Sequence, residues 1–337
     1  MSYTGRYPSA RPRRLRQTDW VRRLTRENAV STDDLIWAMI VHDGIEPQIP
    51  IGAMPGVKRY SVRAAAEAAR NAAKLGIPAI AVFPHIDVAK KDATGKEALN
   101  PQGLVCSAVR AMKDAAPNVG IMVDVALDPF TDHGHDGLLQ NGRILNDETV
   151  EVLAEQALVQ VKAGADIVAP SDMMDGRVGA IRAALDGAGH QDTLIMSYAA
   201  KYASAFYGPY REAIGSGKLG SGAVANPGDK RTYQMDPANA DEALREVAMD
   251  VAEGADMLLV KPGLAYLDIV TRVKANFGLP TYAFQVSGEY AMIKAAAQNG
   301  WIDEDRAVME TMMAFKRAGA DGVVTYFAPK VAEMLGA

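Results

Sequence analysis

The sequence has one cysteine, no long apolar run and little net charge, and each shortage excludes a class of protein. Cys106 has no partner cysteine in the chain, so no internal disulfide can form, which favours a reducing, cytoplasmic location. No apolar run approaches the roughly 18 residues that a membrane-spanning helix needs, so we expect no membrane association. A net charge of -5 gives no reason to expect nucleic acid or an anionic membrane surface as a partner.

The N-terminal segment carries no acidic residue before Asp19, and its excess of positive charge allows two interpretations. Five arginines lie within residues 1–18. Such a segment is typical of a transit peptide, but this one is poor in serine, and Pro8 and Pro12 would interrupt an amphipathic helix. We therefore favour an arm over residues 1–30 that contacts a neighbouring subunit, followed by one catalytic domain over residues 31–337.

A short sequence motif that occurs three times predicts the architecture. At residues 162–166, 253–256 and 317–321 an Ala-rich helical stretch ends at a glycine, and an apolar strand follows. Continuous apolar runs predict eight buried strands, at residues 35–41, 79–84, 120–127, 165–171, 193–200, 255–260, 280–287 and 320–327. Helical stretches separate these runs, which favours an α/β fold of the TIM (β/α)8 barrel type. The alternative, a doubly wound open sheet, lacks the Gly-x-Gly-x-x-Gly motif of a dinucleotide site.

The chemistry of a TIM barrel lies at the carboxyl ends of its strands, and here those ends are polar. The residues expected there are Asp124, Asp128, Ser171, Asp172, Lys201, Lys261, Ser287 and Tyr326. Lys201 and Lys261 end consecutive strands, which lie about 4.8 Å apart, so the two amines can meet at one barrel mouth. Burial and mutual repulsion would lower their pKa values, and a neutral amine condenses with a ketone to a Schiff base. The alternative is an ordinary ion pair of one lysine with Asp124 or Asp172.

A long glycine-rich connection follows Lys201 and predicts a mobile lid over about residues 208–235. Its cations are Arg211, Lys218, Lys230 and Arg231. They suit a carboxylate substrate, which an arginine can bind through two parallel hydrogen bonds. The alternative is an exposed loop with solvated charges, and composition alone does not distinguish the two.

Residues 124–137 read DVALDPFTDHGHDG and concentrate four aspartates and two histidines. Clusters of this kind can bind a metal ion, but no thiolate lies nearby to hold zinc. We therefore favour acid–base chemistry or hydrogen bonding by the carboxylates over a metal site.

Seven motifs together carry a resemblance to a known family. They are DVALDPFTDHGHDG, APSDMMDGRVGAIR, SYAAKYASAFYGPYR, GDKRTYQMDPANADEA, VKPGLAYLDIV, QVSGEYAM and FKRAGADGVVTYF. From about residue 30 to the C-terminus the chain resembles porphobilinogen synthase, also called 5-aminolevulinate dehydratase. The resemblance implies a TIM-barrel lyase that condenses two molecules of 5-aminolevulinate to porphobilinogen with loss of two waters. This reaction is an early step of tetrapyrrole (heme and chlorophyll) biosynthesis.

The resemblance also implies roles for individual residues. Lys261 matches the lysine that forms a Schiff base with the substrate giving the propionate side, and Lys201 matches the lysine that holds the acetate-side substrate. Ser287 and Tyr326 match residues that bind the first carboxylate. The remaining matches are Arg211, Lys230 and Gln234 for the second carboxylate, Asp124 and Ser171 for the second amine, and Tyr207 and Tyr210 for the wall of the first pocket.

The metal-binding positions of the family differ in this chain. Zinc-dependent members carry three cysteines at the positions of Ala126, Asp128 and Asp136, so we expect no catalytic zinc and no cofactor that the chemistry requires. Other members bind an allosteric magnesium through a glutamate that matches Glu246. Arg245 stands beside it and can supply the positive charge itself, so an effect of magnesium or potassium stays an open alternative.

The resemblance implies a homo-oligomer, an octamer or a hexamer in which the N-terminal arm embraces a neighbour. The small molecules expected to bind are 5-aminolevulinate and porphobilinogen. Two other classes stay open. A class I aldolase or another Schiff-base lyase would share the barrel and Lys261 but needs no second lysine, whereas a non-catalytic barrel would tolerate the loss of Lys261.

Overall fold

The computed structural model describes residues 5–215 and 230–337, and its centre is a closed barrel of parallel strands. In chain order the barrel strands are β1 (Leu35–His42), β2 (Ala79–His85), β3 (Gly120–Val125), β4 (Ile167–Pro170), β5 (Leu194–Lys201), β6 (Met257–Lys261), β7 (Thr281–Phe284) and β8 (Gly322–Thr325). Each strand pairs in parallel with the next, and β8 closes the barrel on β1, where Leu35 lies opposite Val323. The predicted TIM barrel is confirmed.

Helices surround the barrel. The longer ones are α1 (Val62–Lys74), α2 (Leu104–Ala115), α3 (Asp147–Lys162), α4 (Arg177–Gly187), α5 (Asp241–Ala252), α6 (Leu267–Phe277), α7 (Ser287–Gln298), α8 (Glu304–Arg317) and α9 (Ala328–Leu335). Shorter elements are the helices Asp19–Leu24 and Gly208–Ala213, the antiparallel strands Gln48–Pro50 and Lys58–Ser61, and the hairpin of Leu139–Gln140 with Arg143–Ile144. Within the described ranges, the helices are all too short or too polar to cross a membrane.

The barrel strands are apolar because both of their faces are covered. Every residue of β1 and of β6 is buried, including the lysine that ends β6. Helix α1 shows the matching pattern, since its buried residues are Ala64, Ala65, Ala68, Ala69 and Ala72. This spacing forms one stripe along a helix, and the stripe packs against the strands. The core therefore consists of the barrel interior and of the layer between strands and helices.

The recurring Gly-Ala-Asp motif stabilises the end of the barrel opposite the strand-end lysines. Its glycines, Gly164, Gly254 and Gly319, have φ angles of 109°, 103° and 98°, a left-handed conformation that favours glycine. Each aspartate then accepts a hydrogen bond of 2.7 Å from a backbone N–H of the neighbouring strand. These pairs are Asp166 with Ile121, Asp256 with Ile195, and Asp321 with Thr281. The motif thus ends a helix and links adjacent strands through a hydrogen bond.

Three of the predicted strands end at least two residues before their apolar runs end. The runs 120–127, 280–287 and 320–327 end as strands at Val125, Phe284 and Thr325. The residues beyond these ends are buried although they lie outside the strands, and Gln285 still donates its backbone N–H to the Val324 carbonyl of β8. Apolarity therefore predicted burial correctly and strand pairing only in part.

The segments proposed as arm and lid are described in part. In residues 5–30 the helix Asp19–Leu24 and the preceding turn of 3-10 helix, Pro12–Arg16, bury no residue. The contact of this arm with another subunit stays a prediction. Lys218 and the central part of the predicted lid, 216–229, lie outside the described residues. The flank before them is anchored, since Arg59 donates hydrogen bonds of 2.7 Å to the backbone carbonyls of Glu212 and Ala213.

Candidate active site

Lys201 and Lys261 lie side by side at the carboxyl ends of β5 and β6, where their Cα atoms are register partners. This alignment depends on a bulge. Leu258 pairs with Ser197, but Val260 pairs with Ala200, so β5 holds one more residue than β6 over this stretch. Without the extra residue, Ala200 would lie opposite Lys261. Both lysines are buried, with 5% and 6% of their surface exposed.

Aromatic rings surround the Lys261 amine. The distances from its Nζ to the ring centroids are 4.4 Å for Phe284, 5.0 Å for Tyr198, 5.3 Å for Tyr210, 5.6 Å for Tyr207 and 6.0 Å for Phe83. Ring faces attract an ammonium weakly, but they replace the water that would solvate it. Burial, and after it the Lys201 ammonium, lower the pKa of Lys261 to about 7. A large fraction of this amine is therefore neutral at pH 7.

Lys201 has polar surroundings. Its Nζ donates a hydrogen bond to the backbone carbonyl of Ser171 and lies 3.3 Å from Asp136 Oδ1. An ion pair of a lysine was one of the sequence-based alternatives, but the predicted partners, Asp124 and Asp172, were wrong. The two lysines thus differ, since one is held by a carboxylate and the other is enclosed by rings.

Asp136 is fully buried and lies between two ammonium groups. Its Oδ2 is 2.7 Å from Lys230 Nζ, which is also 3.2 Å from Asp128 Oδ2. Burial alone would raise the pKa of Asp136, but Lys201 and Lys230 outweigh it and lower that pKa. For Lys230, burial would lower the pKa, but Asp128 and Asp136 outweigh it and raise that pKa. These groups therefore stay charged around neutral pH.

Asp124, on β3, behaves differently from Asp136. Its carboxyl is buried, and this burial outweighs the attraction of Lys261 and raises its pKa to about 6. A group with a pKa near the working pH can both accept and donate a proton, which is what acid–base catalysis requires. The acid–base interpretation of the aspartate-rich segment is therefore best supported at Asp124.

The residues at the positions where the resemblance implies a zinc site do not fit zinc. Zinc would meet a methyl group at Ala126 and two carboxylates, Asp128 and Asp136, that already share the Lys230 ammonium. Glu246 is half-buried, and its neighbour Arg245 is exposed. Within residues 5–215 and 230–337, no three His, Cys, Asp or Glu side chains are grouped closely enough to bind a metal. We therefore derive no step through a metal ion.

A small cavity joins most of the predicted site residues. Its lining is formed by Asp128, Lys201, Tyr207, Tyr210, Arg211, Lys230, Gln234 and Lys261. Tyr207 is held in place because its hydroxyl donates a 2.8 Å hydrogen bond to the Tyr202 carbonyl. Three cationic side chains beside Lys261 give this cavity the charge that a carboxylate ligand needs.

Ser287 and Tyr326 lie beside this cavity but do not line it. Ser287 is the first residue of α7, and its hydroxyl accepts a 2.9 Å hydrogen bond from the Tyr210 N–H and contacts the Phe206 carbonyl at 3.5 Å. Tyr326 is buried after β8, where its ring lies 6.3 Å from that of Phe284. Both residues therefore contact residues of the aromatic layer around Lys261, Ser287 through Tyr210 and Tyr326 through Phe284.

Sequence reasoning did not find the aromatic residues Phe83, Tyr198 and Phe284. Phe83 and Phe284 lie near the carboxyl ends of β2 and β7, where only polar residues were considered. The rule that the site lies at the carboxyl ends of the strands would also have selected Phe83 and Phe284, had it been applied to apolar residues. The pairing of Asp136 with Lys201 left no comparable signal, because it joins residues far apart in the chain.

Comparisons with known proteins agree with this arrangement. The sequence profile of the delta-aminolevulinic acid dehydratase family matches residues 9–334. The chain is 63% identical to the Bradyrhizobium diazoefficiens delta-aminolevulinic acid dehydratase over 325 residues, which cover 96% of this chain and 90% of that protein. It is 53% identical to the Rhodobacter capsulatus protein of the same name over 334 residues, 99% of each chain.

A solved structure is similar as well. It is the Toxoplasma gondii ME49 delta-aminolevulinic acid dehydratase (porphobilinogen synthase) in complex with the reaction product porphobilinogen. The two structures have a TM-score of 0.93 at 48% identity, over 96% of this chain and 91% of that one. The barrel, the paired lysines and a match that runs from residue 9 to residue 334 lead to one assignment. This chain belongs to the delta-aminolevulinic acid dehydratase family.

Proposed function

We propose that this protein is a porphobilinogen synthase, a lyase that condenses two molecules of 5-aminolevulinate to porphobilinogen with loss of two waters in tetrapyrrole biosynthesis. The observation that carries the proposal is the pair of buried lysines on adjacent strands, Lys201 and Lys261. Two lysine amines on adjacent strands allow each of two ketone substrates to be held as an imine in the same site. The names of the relatives and the product bound in the solved structure support the same reaction.

Lys261 is the residue that we assign to the first imine. Its neutral amine attacks the ketone carbon, the carbonyl oxygen takes up protons and leaves as water, and a carbon–nitrogen double bond remains. Burial among these rings favours this step, because burial is the largest cause, ahead of the Lys201 charge, of the lowering of the Lys261 pKa to about 7. Tyr207 and Tyr210 are assigned to the wall of this pocket, and Tyr210 donates its N–H to Ser287.

Lys201 is assigned to the second substrate and must lose a proton before it can react. In the free enzyme its Nζ lies 3.3 Å from Asp136 Oδ1. Asp124, with its pKa raised to about 6 and with electrostatic interactions with both lysines, can transfer protons near neutral pH. We assign Asp124 and the backbone and hydroxyl of Ser171 to the free amine of that substrate.

The two substrate carboxylates are assigned to different groups. Ser287 and Tyr326 bind the first, and Arg211, Lys230 and Gln234 bind the second. Arg211 and Lys230 line the cavity together with both lysines, which supports this division. Lys230 already forms ion pairs with Asp128 and Asp136. Binding of the substrate carboxylate to Lys230 therefore replaces one of these two ion pairs.

Further properties follow as proposals. The chemistry requires no metal cofactor, because the side chains described above supply the nucleophiles and the acid–base group. The protein is a cytoplasmic homo-oligomer, an octamer or a hexamer, with contacts through residues 1–30, and it binds neither nucleic acid nor membranes. The exposed arginines of the arm support a role in contacts between subunits.

One experiment tests the function. The protein is incubated with 5-aminolevulinate alone, and pyrrole product is measured; a parallel sample is reduced with borohydride and digested to locate the adduct. We expect pyrrole, and an adduct on Lys261. Lys261→Ala and Lys201→Ala should each abolish pyrrole formation, whereas Lys74→Ala, at an exposed site in α1, should not.

The rival functions give different results in the same experiment. A class I aldolase would form an adduct on Lys261 but no pyrrole, and it would not depend on Lys201. A non-catalytic barrel would yield neither an adduct nor a pyrrole. Either result contradicts the proposal.

A further inference from the structure

Glu289 is a buried carboxylate that the proposed chemistry does not use. It lies in the first turn of α7 and is 2% exposed. Among the described residues no lysine or arginine lies within ion-pair distance of it. An ionisable group in such a place is costly unless hydrogen bonds satisfy it, so its partners indicate what it does.

The two oxygens of Glu289 accept hydrogen bonds from two different segments of backbone. Oε2 accepts from the Val286 N–H at 2.9 Å, and Oε1 accepts from the Ala265 N–H at 3.0 Å. The backbone N–H groups of Gly263 and Leu264 face the same carboxylate. One side chain therefore bridges the turn after β6 and the turn after β7.

Each of these turns carries one of the groups assigned to the first substrate. Residues 263–265 begin two positions after Lys261, and Val286 directly precedes Ser287. The turns are also in direct contact, since a Cβ on Gly263 would lie only 2.9 Å from the Phe284 carbonyl oxygen. Glu289 thus connects the imine-forming lysine to the serine assigned to the carboxylate.

The same end of α7 is fitted closely to a third segment. A Cβ on Gly288 would overlap the backbone carbonyl of Phe206, so the helix approaches residues 204–207 as closely as glycine allows. Ser287 accepts a hydrogen bond from Tyr210 at 2.9 Å. The Ser287 hydroxyl is therefore held close to residues 206–210, and Glu289 links this helix end to the turn that follows Lys261.

We propose that Glu289 is a positioning residue that fixes the separation between the Lys261 amine and the Ser287 hydroxyl. This inference rests on the proposed function. The fixed separation selects keto acids whose carbonyl and carboxylate are joined by two methylene groups, as in 5-aminolevulinate. Glu289 touches neither group of the substrate and acts only through the two turns.

Two variants of Glu289 test this role. Glu289→Gln has the same shape but replaces one acceptor oxygen by an NH2 group, which faces a backbone N–H and repels it. Glu289→Asp keeps the carboxyl group but is one methylene shorter, so it cannot reach both turns. Glu310→Gln, at an exposed site in α8, is the matched control for loss of a carboxylate.

The measurement compares two ketones. Levulinate has the chain and carboxylate of the substrate, whereas pentan-2-one has the same ketone without the carboxylate. For each protein we measure, as a function of ketone concentration, the borohydride-trapped adduct on Lys261. We expect the levulinate concentration needed for half-maximal trapping to rise about tenfold or more in both Glu289 variants. Trapping of pentan-2-one, and all trapping by Glu310→Gln, should stay unchanged.

The outcomes separate the two proposals. Absence of an adduct in the unchanged protein would contradict the proposed function. An adduct in that protein, together with equal losses for both ketones in the Glu289 variants, would assign Glu289 a structural role only and overturn this inference. Unchanged trapping of both ketones would overturn it too. Should Glu289→Gln fail to fold, the same comparison made on Glu289→Asp decides between these outcomes.

Discussion

Replacing Lys201 with methionine should raise the pKa of the Lys261 amine. Methionine is similar to lysine in length but has no charge, so the repulsion between two ammonium groups disappears while the burial of Lys261 remains. Two unit charges on neighbouring strands, about 5 Å apart, interact by roughly 3 kcal/mol at an effective dielectric constant of about 20. Because nearby carboxylates offset part of this energy, we expect the pKa of Lys261 to rise from about 7 by roughly one to two units.

The assay is the initial rate at which levulinate and cyanoborohydride form a stable amine on Lys261, measured over a range of pH. The rate increases with pH because the amine must lose its proton, and its midpoint should lie at about 7 in the unchanged protein. An ordinary lysine, with a pKa of about 10.4, would be neutral in only about one molecule in 2,500 at that pH. In Lys201→Met the midpoint should move to higher pH, and the rate at neutral pH should fall roughly fivefold to fiftyfold.

The control is Lys162→Met, which removes a charge from the exposed end of α3. Its pH profile should match that of the unchanged protein. If the midpoint in Lys201→Met stays the same or moves to lower pH, the Lys201 ammonium does not contribute to the lowered pKa of Lys261. The argument from paired amines would then be refuted. Burial by the aromatic rings would be the sole cause of the lowered pKa of Lys261.

Three further predictions follow from the same contacts. Asp136→Asn should reduce kcat about a hundredfold or more, because it leaves the Lys201 and Lys230 ammonium groups without the carboxylate between them; a fall of less than about tenfold would contradict this. Treatment with a chelator should leave most of the activity, and complete loss restored by zinc alone would overturn the proposal that no metal is required. Asp321→Ala should lower the free energy of unfolding by about 1 kcal/mol or more and leave kcat unchanged, because Asp321 binds the Thr281 N–H at the opposite end of the barrel; thermal unfolding and steady-state rates measure both, and an altered kcat would argue against this separation.

The charges near Lys201 show how a family site can be reorganised. At the positions where the resemblance implies thiolates in zinc-dependent members, this chain has Asp128, Asp136 and a methyl group, and the two carboxylates bind the Lys230 ammonium. Buried carboxylates without a partner would be costly, so the cation and the aspartates depend on each other. The same ion pairs hold Lys201 beside Lys261 before any substrate is bound.

Much of the site could be predicted because its parts are local features of the sequence. A continuous apolar run predicts a buried strand whatever it pairs with, and the position of a lysine at the end of such a run is visible in the sequence itself. Once eight runs indicate a barrel, the rule that chemistry lies at strand carboxyl ends brings Lys201 and Lys261 to one face. The resemblance then gave these positions their expected roles.

The sequence by itself therefore determined the barrel, the order of its strands and the two lysines at its mouth. Only the tertiary structure decided that a bulge in β5 aligns Lys201 with Lys261, that Asp136 is the partner of Lys201, and that Glu289 joins two turns. Strand formation depends on near neighbours in the chain, and its pattern repeats along the sequence. Ion pairs and bridges depend on distances of a few ångströms between residues that are far apart in the chain, and no local pattern records those distances.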